Sequence, residues 1–278
     1  MRFGIDVPQF GPYGDPRVLA GLAREAEQAG WDGFFVWDHI NVGWPDPVAD
    51  PWIALAAVAC ATERIRFGPL VTPLFRRHPW KLARETATLD HLSGGRLILG
   101  VGLGGDWFGE ISAFAGPGDD RVRAEMLDEG LAILTGLWSG EQFSFDGVHF
   151  KVRDCRFLPP PVQAPRIPIW LAGTWPMKKP FRRAARYDGT VPMKANLEEQ
   201  LTPFDVASIS QFVQDIRDPA APFDIVVSGR TSPNDPAAPD RLRAFARASA
   251  TWFLETTLPW KQTLDDFRRR VAAGPPRI

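Results

Sequence analysis

The chain has 278 residues, 45% of them apolar and 23% charged, with 32 lysines and arginines against 33 aspartates and glutamates. That composition excludes a disordered chain, a coiled coil and a collagen. The net charge of -1 gives no global pull toward nucleic acid or an anionic membrane. Two cysteines, Cys60 and Cys155, are too few for a disulfide framework or a four-ligand metal centre.

Phe3 to Val7 reads as a buried strand stopped by Pro8. Asp15-Pro16 then opens a helix, with Asp as N-cap and Pro at the first helical position. Val18, Leu19, Leu22, Ala23 and Ala26 recur at helical spacing until Gly30. Gly33 to Trp37 is a second strand. Asp50-Pro51 repeats the helix start, and Ile53 to Ala61 continues it. Arg64 to Val71 is a strand, Trp80 to Leu92 a helix closed by Gly94-Gly95, Arg96 to Val101 a strand, and Glu125 to Trp138 a helix. Gln142 to Phe150 alternates around Asp146-Gly147, a hairpin signal. Strands follow at Ile167–Ala172, Gly189–Val191, Phe223–Ser228 and Thr251–Glu255. Between and after them come helices over Met177–Tyr187, Glu198–Arg217 (interrupted at Thr202-Pro203), Pro239–Ala248 and Leu264–Ala272.

Strands apolar on both faces, alternating with helices, mark a parallel sheet covered by helices. The expected fold is therefore an α/β (β/α)8 barrel, one domain over residues 1–278, with a short hairpin inserted after the fourth βα unit. A doubly wound sheet competes, but no G-x-G-x-x-G follows the first strand. The opening MRFGIDVPQF lacks the basic region and long apolar core of a secretory signal. The longest apolar run, Trp52 to Ala61, is about half a membrane span. The expectation is a cytoplasmic chain with no membrane and no nucleic-acid partner.

Barrel chemistry sits at the carboxyl ends of the strands. Asp38-His39 ends the second strand, where a histidine can shuttle a proton or simply be tied to a loop carbonyl. The stretch Gly100 to Gly105 lets backbone approach a ligand, and Leu70, Val71 and Thr72 end the third strand. Gly173-Thr174 before a helix is a plausible phosphate seat, with Lys178 and Lys179 adding charge. Phe10, Trp44, Trp107 and Trp175 are candidate pocket walls, and the 11 tryptophans suggest an aromatic-lined cavity. Arg76 or Arg230 could hold a substrate's acid group. No H-E-x-x-H, C-x-x-C, G-x-S-x-G or Walker A is present, so no metal, α/β-hydrolase or P-loop chemistry is expected.

These residues make the chain similar to a known family. RIRFGPLVTPLFRRHPWKLARETATLDHLSGGRLILGVGLG (Arg64 to Gly104) is the densest stretch, with GWDGFFVWDH (Gly30 to His39) and IWLAGTWPMKKPFRRAARYDGTVPM (Ile169 to Met193) beside it. The chain resembles the bacterial luciferase-like superfamily of flavin- and deazaflavin-dependent oxidoreductases, and its last third does so only loosely. The resemblance implies FMN or coenzyme F420 at the barrel mouth, with His39 near the ring's reactive face. It makes Leu70-Val71 a non-prolyl cis-peptide bulge behind the ring. Gly102, Leu103 and Gly104 would flank the ring, and Gly173-Thr174 would take the phosphate. It also implies a homodimer.

Three departures stand out. Gly105 occupies the position where the family's deazaflavin-dependent sugar-phosphate dehydrogenases carry a glutamate, and Asp106 or Glu110 is the nearest replacement. Pro69 replaces a small polar residue before the bulge, and the chain is shorter than the long monooxygenases. The leading expectation is a luciferase-like monooxygenase acting on a small organic substrate, with a separate flavin reductase as a candidate partner. F420-linked hydride transfer is the alternative. A cofactor-free lyase or isomerase using His39 with Asp106 or Glu255 is a further rival, as is a non-catalytic flavin binder.

Overall fold

The computed structural model describes residues 1–196, 199–232 and 235–278. In chain order, β1 (Arg2–Val7) leads to α1 (Pro16–Gln28), β2 (Gly33–Val36), α2 (Pro51–Ala61), β3 (Arg66–Pro69), β4 (Thr72–Pro73), α3 (Pro79–Ser93), β5 (Leu99–Gly102) and α4 (Asp120–Trp138). A hairpin of β6 (Phe143–Asp146) and β7 (Lys151–Cys155) follows. Then come β8 (Ile169–Trp175), α5 (Lys178–Ala184), β9 (Gly189–Lys194), α6 (Pro203–Gln214), β10 (Asp224–Gly229), α7 (Ala238–Arg247), β11 (Trp252–Thr256) and α8 (Leu264–Ala272).

Nine segments pair in the order β3-β2-β1-β11-β10-β9-β8-β5-β4. β3 and β4 are two pieces of one strand, parted by Leu70 and Val71, whose peptide bond is cis. β3 meets the lead into β5 through a parallel bridge between Phe67 and Leu97, which closes the ring. The result is the expected (β/α)8 barrel.

Local chemistry explains most boundaries. The Asp15 carboxylate accepts from the Arg17 N–H, and Asp50 accepts from the Trp52 and Ile53 N–H groups. Gly94 ends α3 in the left-handed conformation (φ 65°). The following Arg96 is buried, and its guanidinium donates to the carbonyls of Ala59, Thr62, Ile65 and Ser93 and to the Thr62 hydroxyl. The L-S-G-G-R motif is thus a latch between α2, α3 and the start of β3.

Three expectations are corrected. The second hairpin strand is Lys151–Cys155, not Val148 to Phe150. The Glu129 carboxylate accepts from the N–H groups of Val148, His149 and Phe150, which fixes those residues as the turn. α4 starts at Asp120, ahead of Glu125, because Asp119 caps it. Thr202-Pro203 starts α6 rather than interrupting it, through a capping box between Thr202 and Asp205. Glu198, where that helix was expected to begin, lies outside the described residues.

The barrel lumen is filled by aromatics. The rings of Phe35, Trp170 and Trp252 lie 5.3–5.9 Å apart, with Ile98, Val226 and Leu254 around them. Glycines make the room: a Cβ on Gly33 would come 2.7 Å from Phe35, and one on Gly189 would come 2.6 Å from Trp170. Trp170 and Trp252 therefore plug the barrel instead of lining a cavity. Among the described residues no helix is long and apolar enough to cross a membrane.

Candidate active site at the barrel mouth

Side chains alternate along a strand, so the lumen residues define what lies above them. Two positions beyond Phe35, Val226 and Leu254 come Trp37, Ser228 and Thr256. Beyond Trp170 comes Ala172, and Val191 packs against the lumen cluster from β9. These residues are half-buried, as are Leu70 and Val71. Gly102 completes the floor: a Cβ there would come 2.9 Å from Val71 and 3.2 Å from Ala172. From β2 round to β9 the floor is apolar. From β10 to β1 it is polar, formed by Ser228, Thr256 and Asp6.

One wall is a buried charge network. Asp38 is 3% exposed and accepts from the Thr72 hydroxyl (2.6 Å) and from Arg76 Nη2 (2.8 Å), with Arg77 at 3.4 Å. Arg76 Nη1 reaches on to Glu110 Oε1 at 2.6 Å. Glu110 Oε1 also accepts from the Ile40 N–H, and Oε2 lies 2.7 Å from His39 Nδ1. Burial pushes the Glu110 carboxyl upward. Hydrogen bonds from His39 and Ile40, with the charges of His39 and Arg76, outweigh it and hold the pKa below the usual value.

With Nδ1 committed to Glu110, His39 keeps Nε2 for a ligand. Gln9 fixes the loop by donating from Nε2 to the His39 carbonyl, and Asn41 donates to the Phe108 carbonyl. Phe10 sits beneath, 5.9–6.2 Å from the rings of Trp37, His39, Trp44 and Phe108.

Several expected site residues do other work. Asp106 is exposed, and its carboxylate accepts from the Ile111 and Ser112 N–H groups, capping its own loop instead of joining His39. Arg76 spends its guanidinium on Asp38 and Glu110, so it is not free for a substrate's acid group. Gly173 turns to α5, where a Cβ would meet Pro180 and Phe181, and Trp175 packs on Phe181. Lys178 lies over the Trp175 and Phe212 rings. Of that trio only the Thr174 side chain shares the lumen face of β8, and Lys178 is turned to the rings beside α5.

Trp107 is exposed and covers Gly105, where a Cβ would overlap the indole at 1.6 Å, so no side chain fits at Gly105 with Trp107 in this place. Leu103 packs on the core, and Gly104 has φ 71°. Trp44 stands at the rim with its indole N–H on Asp46. Arg230 is exposed and lines an open cleft of about 500 Å³ with Lys261 and Arg269, beside the mouth. Glu255 leaves β11 on the outer face, where it pairs with Arg270 at 3.0 Å.

Sequence reasoning missed Trp37, Phe108 and Asp6. The signal for Asp6 was a carboxylate inside an otherwise apolar strand.

The profile of the luciferase-like monooxygenase family matches residues 1–272. The chain belongs to that family. This luciferase-like protein is 37% identical, over 166 residues, to an F420-dependent glucose-6-phosphate dehydrogenase of Beutenbergia cavernae; the match covers 58% of this chain and 48% of the relative. The chain spans about half the length of the curated relatives it matches first. The F420-dependent tetrahydromethanopterin reductase from Methanopyrus kandleri shares the fold, with a TM-score of 0.77 at 16% identity, covering 98% of this chain and 96% of that one. Monooxygenase RslO1 from Streptomyces bottropensis superposes with a TM-score of 0.69 at 28% identity, covering 90% of this chain and 78% of its own.

Proposed function

We propose that this luciferase-like protein is an oxidoreductase that binds coenzyme F420 at the barrel mouth and works on a small alcohol or carbonyl compound. The observation that carries the reading is His39, oriented by Glu110 over a floor that is apolar on one side and polar on the other. A tricyclic ring with apolar faces and a polar edge suits that floor, where Val71 and Ala172 close in on Gly102 so tightly that a side chain there would displace them. When bound, F420 supplies two-electron hydride chemistry without oxygen. Leu70, Val71, Gly102 and Ala172 would back the ring, and Thr174 with the neighbouring backbone would hold its polar tail. His39 Nε2 would take the hydroxyl proton of an alcohol, or give a proton to the carbonyl oxygen in the reverse direction. Phe10, Trp44 and Phe108 would exclude water from that exchange.

The sequence reading put monooxygenation first. The order is reversed here because the F420-dependent relative matches at 37% identity. FMN-linked monooxygenation, with a separate reductase, is the second reading, favoured by the 28% identity to monooxygenase RslO1. Glucose 6-phosphate is not the substrate we favour, because Gly105 is closed over by Trp107. A cofactor-free lyase has no support, since Asp106 and Glu255 are bound elsewhere.

A cytoplasmic homodimer goes with this reading. Pro51–Ala61 contains no charged residue, yet α2 leaves Ile53 and Cys60 exposed on one stripe, a face suited to a second copy. Unpaired Cys60 and Cys155 suit a reducing compartment. Sedimentation at micromolar concentration tests the dimer.

The functional test follows F420 absorbance with a panel of small alcohols under anaerobic and aerobic conditions. His39→Ala should lose about 10²-fold or more in turnover while keeping F420 binding. Oxygen uptake with reduced FMN, and no F420 turnover, would select the second reading.

A further inference from the structure

Among the described residues, Asp6 is the one ionisable side chain in the floor of the mouth. Its strand parity aims it inward. Two residues earlier, a Cβ on Gly4 would come 2.7 Å from Leu254 and 3.3 Å from Phe35, both lumen residues. Ile5 and Val7 belong to the outer core. Register sets Asp6 beside Phe35 on β2 and Thr256 on β11, at the carboxyl end of the barrel.

The side chain is buried; Trp37 Nε1 donates to Oδ2 at 3.2 Å, the Thr256 hydroxyl lies close enough to favour the ionised form, and Oδ1 makes no hydrogen bond within the described residues. Among the described residues no cation pairs with it. Arg2, at the far end of β1, pairs with Asp224. Arg76 and Arg77 serve Asp38 and Glu110. Arg270 is on Glu255, which leaves β11 on the face opposite Thr256. His39 lies across the Trp37 ring, with Nδ1 on Glu110. A buried carboxylate without a counter-charge is costly. Burial accordingly raises the Asp6 pKa to about 7, against the lowering influence of Trp37 and Thr256.

We propose that Asp6 stands in the floor as a neutral carboxylic acid and donates a hydrogen bond from Oδ1 to the acceptor edge of a flat heteroaromatic ligand. The indole N–H marks Oδ2 as the acceptor oxygen, which leaves the proton on Oδ1, the oxygen without a partner. The ligand class is a ring with a carbonyl oxygen or an unprotonated ring nitrogen along its edge. An ionised Asp6 would face that edge with charge and no proton. Binding should therefore weaken by about tenfold per pH unit above the titration of Asp6. The ligand half of this inference rests on the functional reading above; the protonation half does not.

Infrared spectroscopy of the ligand-free protein, with carbon-13 labelled aspartate, tests the protonation half. A protonated-carboxyl C=O band should be present at mildly acidic to neutral pH and absent in D6N. Dissociation constants for F420 and for FMN across the same range and into alkaline pH test the ligand half. The wild type should bind more weakly as pH rises. D6N, whose amide keeps a donor, should bind with no such slope, and D6L should bind weakly at every pH. A missing band, or wild-type binding that is flat with pH, overturns the proposal. If neither cofactor binds at any pH, the ligand half falls together with the functional reading, while the infrared band still decides whether Asp6 is held neutral.

Discussion

Asp6 and Asp38 end neighbouring strands of the same barrel, and both are less than a tenth exposed. Asp38 accepts from a threonine hydroxyl and two guanidinium groups. Asp6 accepts from an indole and, among the described residues, pairs with no cation. Burial alone therefore does not decide what a carboxyl group does; its partners do. Asp38 is fixed as the anionic anchor of a wall, and Asp6 is free to keep a proton in the floor. The mouth thus separates two tasks. The Asp38–Arg76–Glu110 network orients His39, and the floor offers a hydrogen bond.

The sharpest way to break this contrast is to remove the cation. R76A strands the buried carboxylates of Asp38 and Glu110 and should cost about 3–5 kcal/mol of stability by chemical denaturation. A loss under about 1 kcal/mol would mean the network is dispensable.

D6N should act in the opposite direction. The folded state keeps the Asp6 proton between pH 3.8, the ordinary carboxyl value, and about 7, where the unfolded chain has released it. Wild-type stability therefore falls as pH rises through that window and stays reduced above it. D6N lacks this slope and should be more stable than wild type at pH 8 by up to about 4 kcal/mol, with the difference shrinking toward pH 4. D38N, by contrast, gives up charged hydrogen bonds and should lose about 1.5–3 kcal/mol. Glu110 carries the opposite sign to Asp6. Its lowered pKa contributes stability above 4.5 that is lost as pH falls through the folded value.

E110Q keeps a group beside His39 but removes the carboxylate that orients its ring. We expect a loss of about tenfold in turnover with little change in cofactor affinity, since proton exchange itself contributes about 10²–10⁴. Equal losses in affinity and turnover would make Glu110 a wall residue and nothing more. The smallest effect belongs to D106A. Its carboxylate caps an exposed loop, so the melting temperature should drop only slightly, with turnover unchanged.

The fold was readable where the physics is local. Asp15-Pro16 and Asp50-Pro51 name their helix starts, Gly94 names a helix end, and the apolar strands name a parallel barrel. The hairpin runs on to Cys155, five residues past Phe150, because its turn is held by Glu129, on another element. In the site, Asp38 and His39 stand out by position, but what they bind does not. Glu110 is 71 residues from His39, and nothing in the sequence ties them beyond the family likeness. For Arg76 the sequence leaves open an acid-binding role or a salt-bridged loop, because its two carboxylates come from distant loops. The tryptophan count suggests an aromatic-lined cavity, but two of those tryptophans, Trp170 and Trp252, plug the closed ring.

The most direct test of the account is a titration of purified protein with F420 and with FMN, each oxidised and reduced, followed by absorbance and fluorescence. We expect F420 to bind at about micromolar concentration, more tightly than FMN, with no oxygen uptake on mixing. Binding of neither cofactor would contradict the reading of the barrel mouth as a flavin-type redox site.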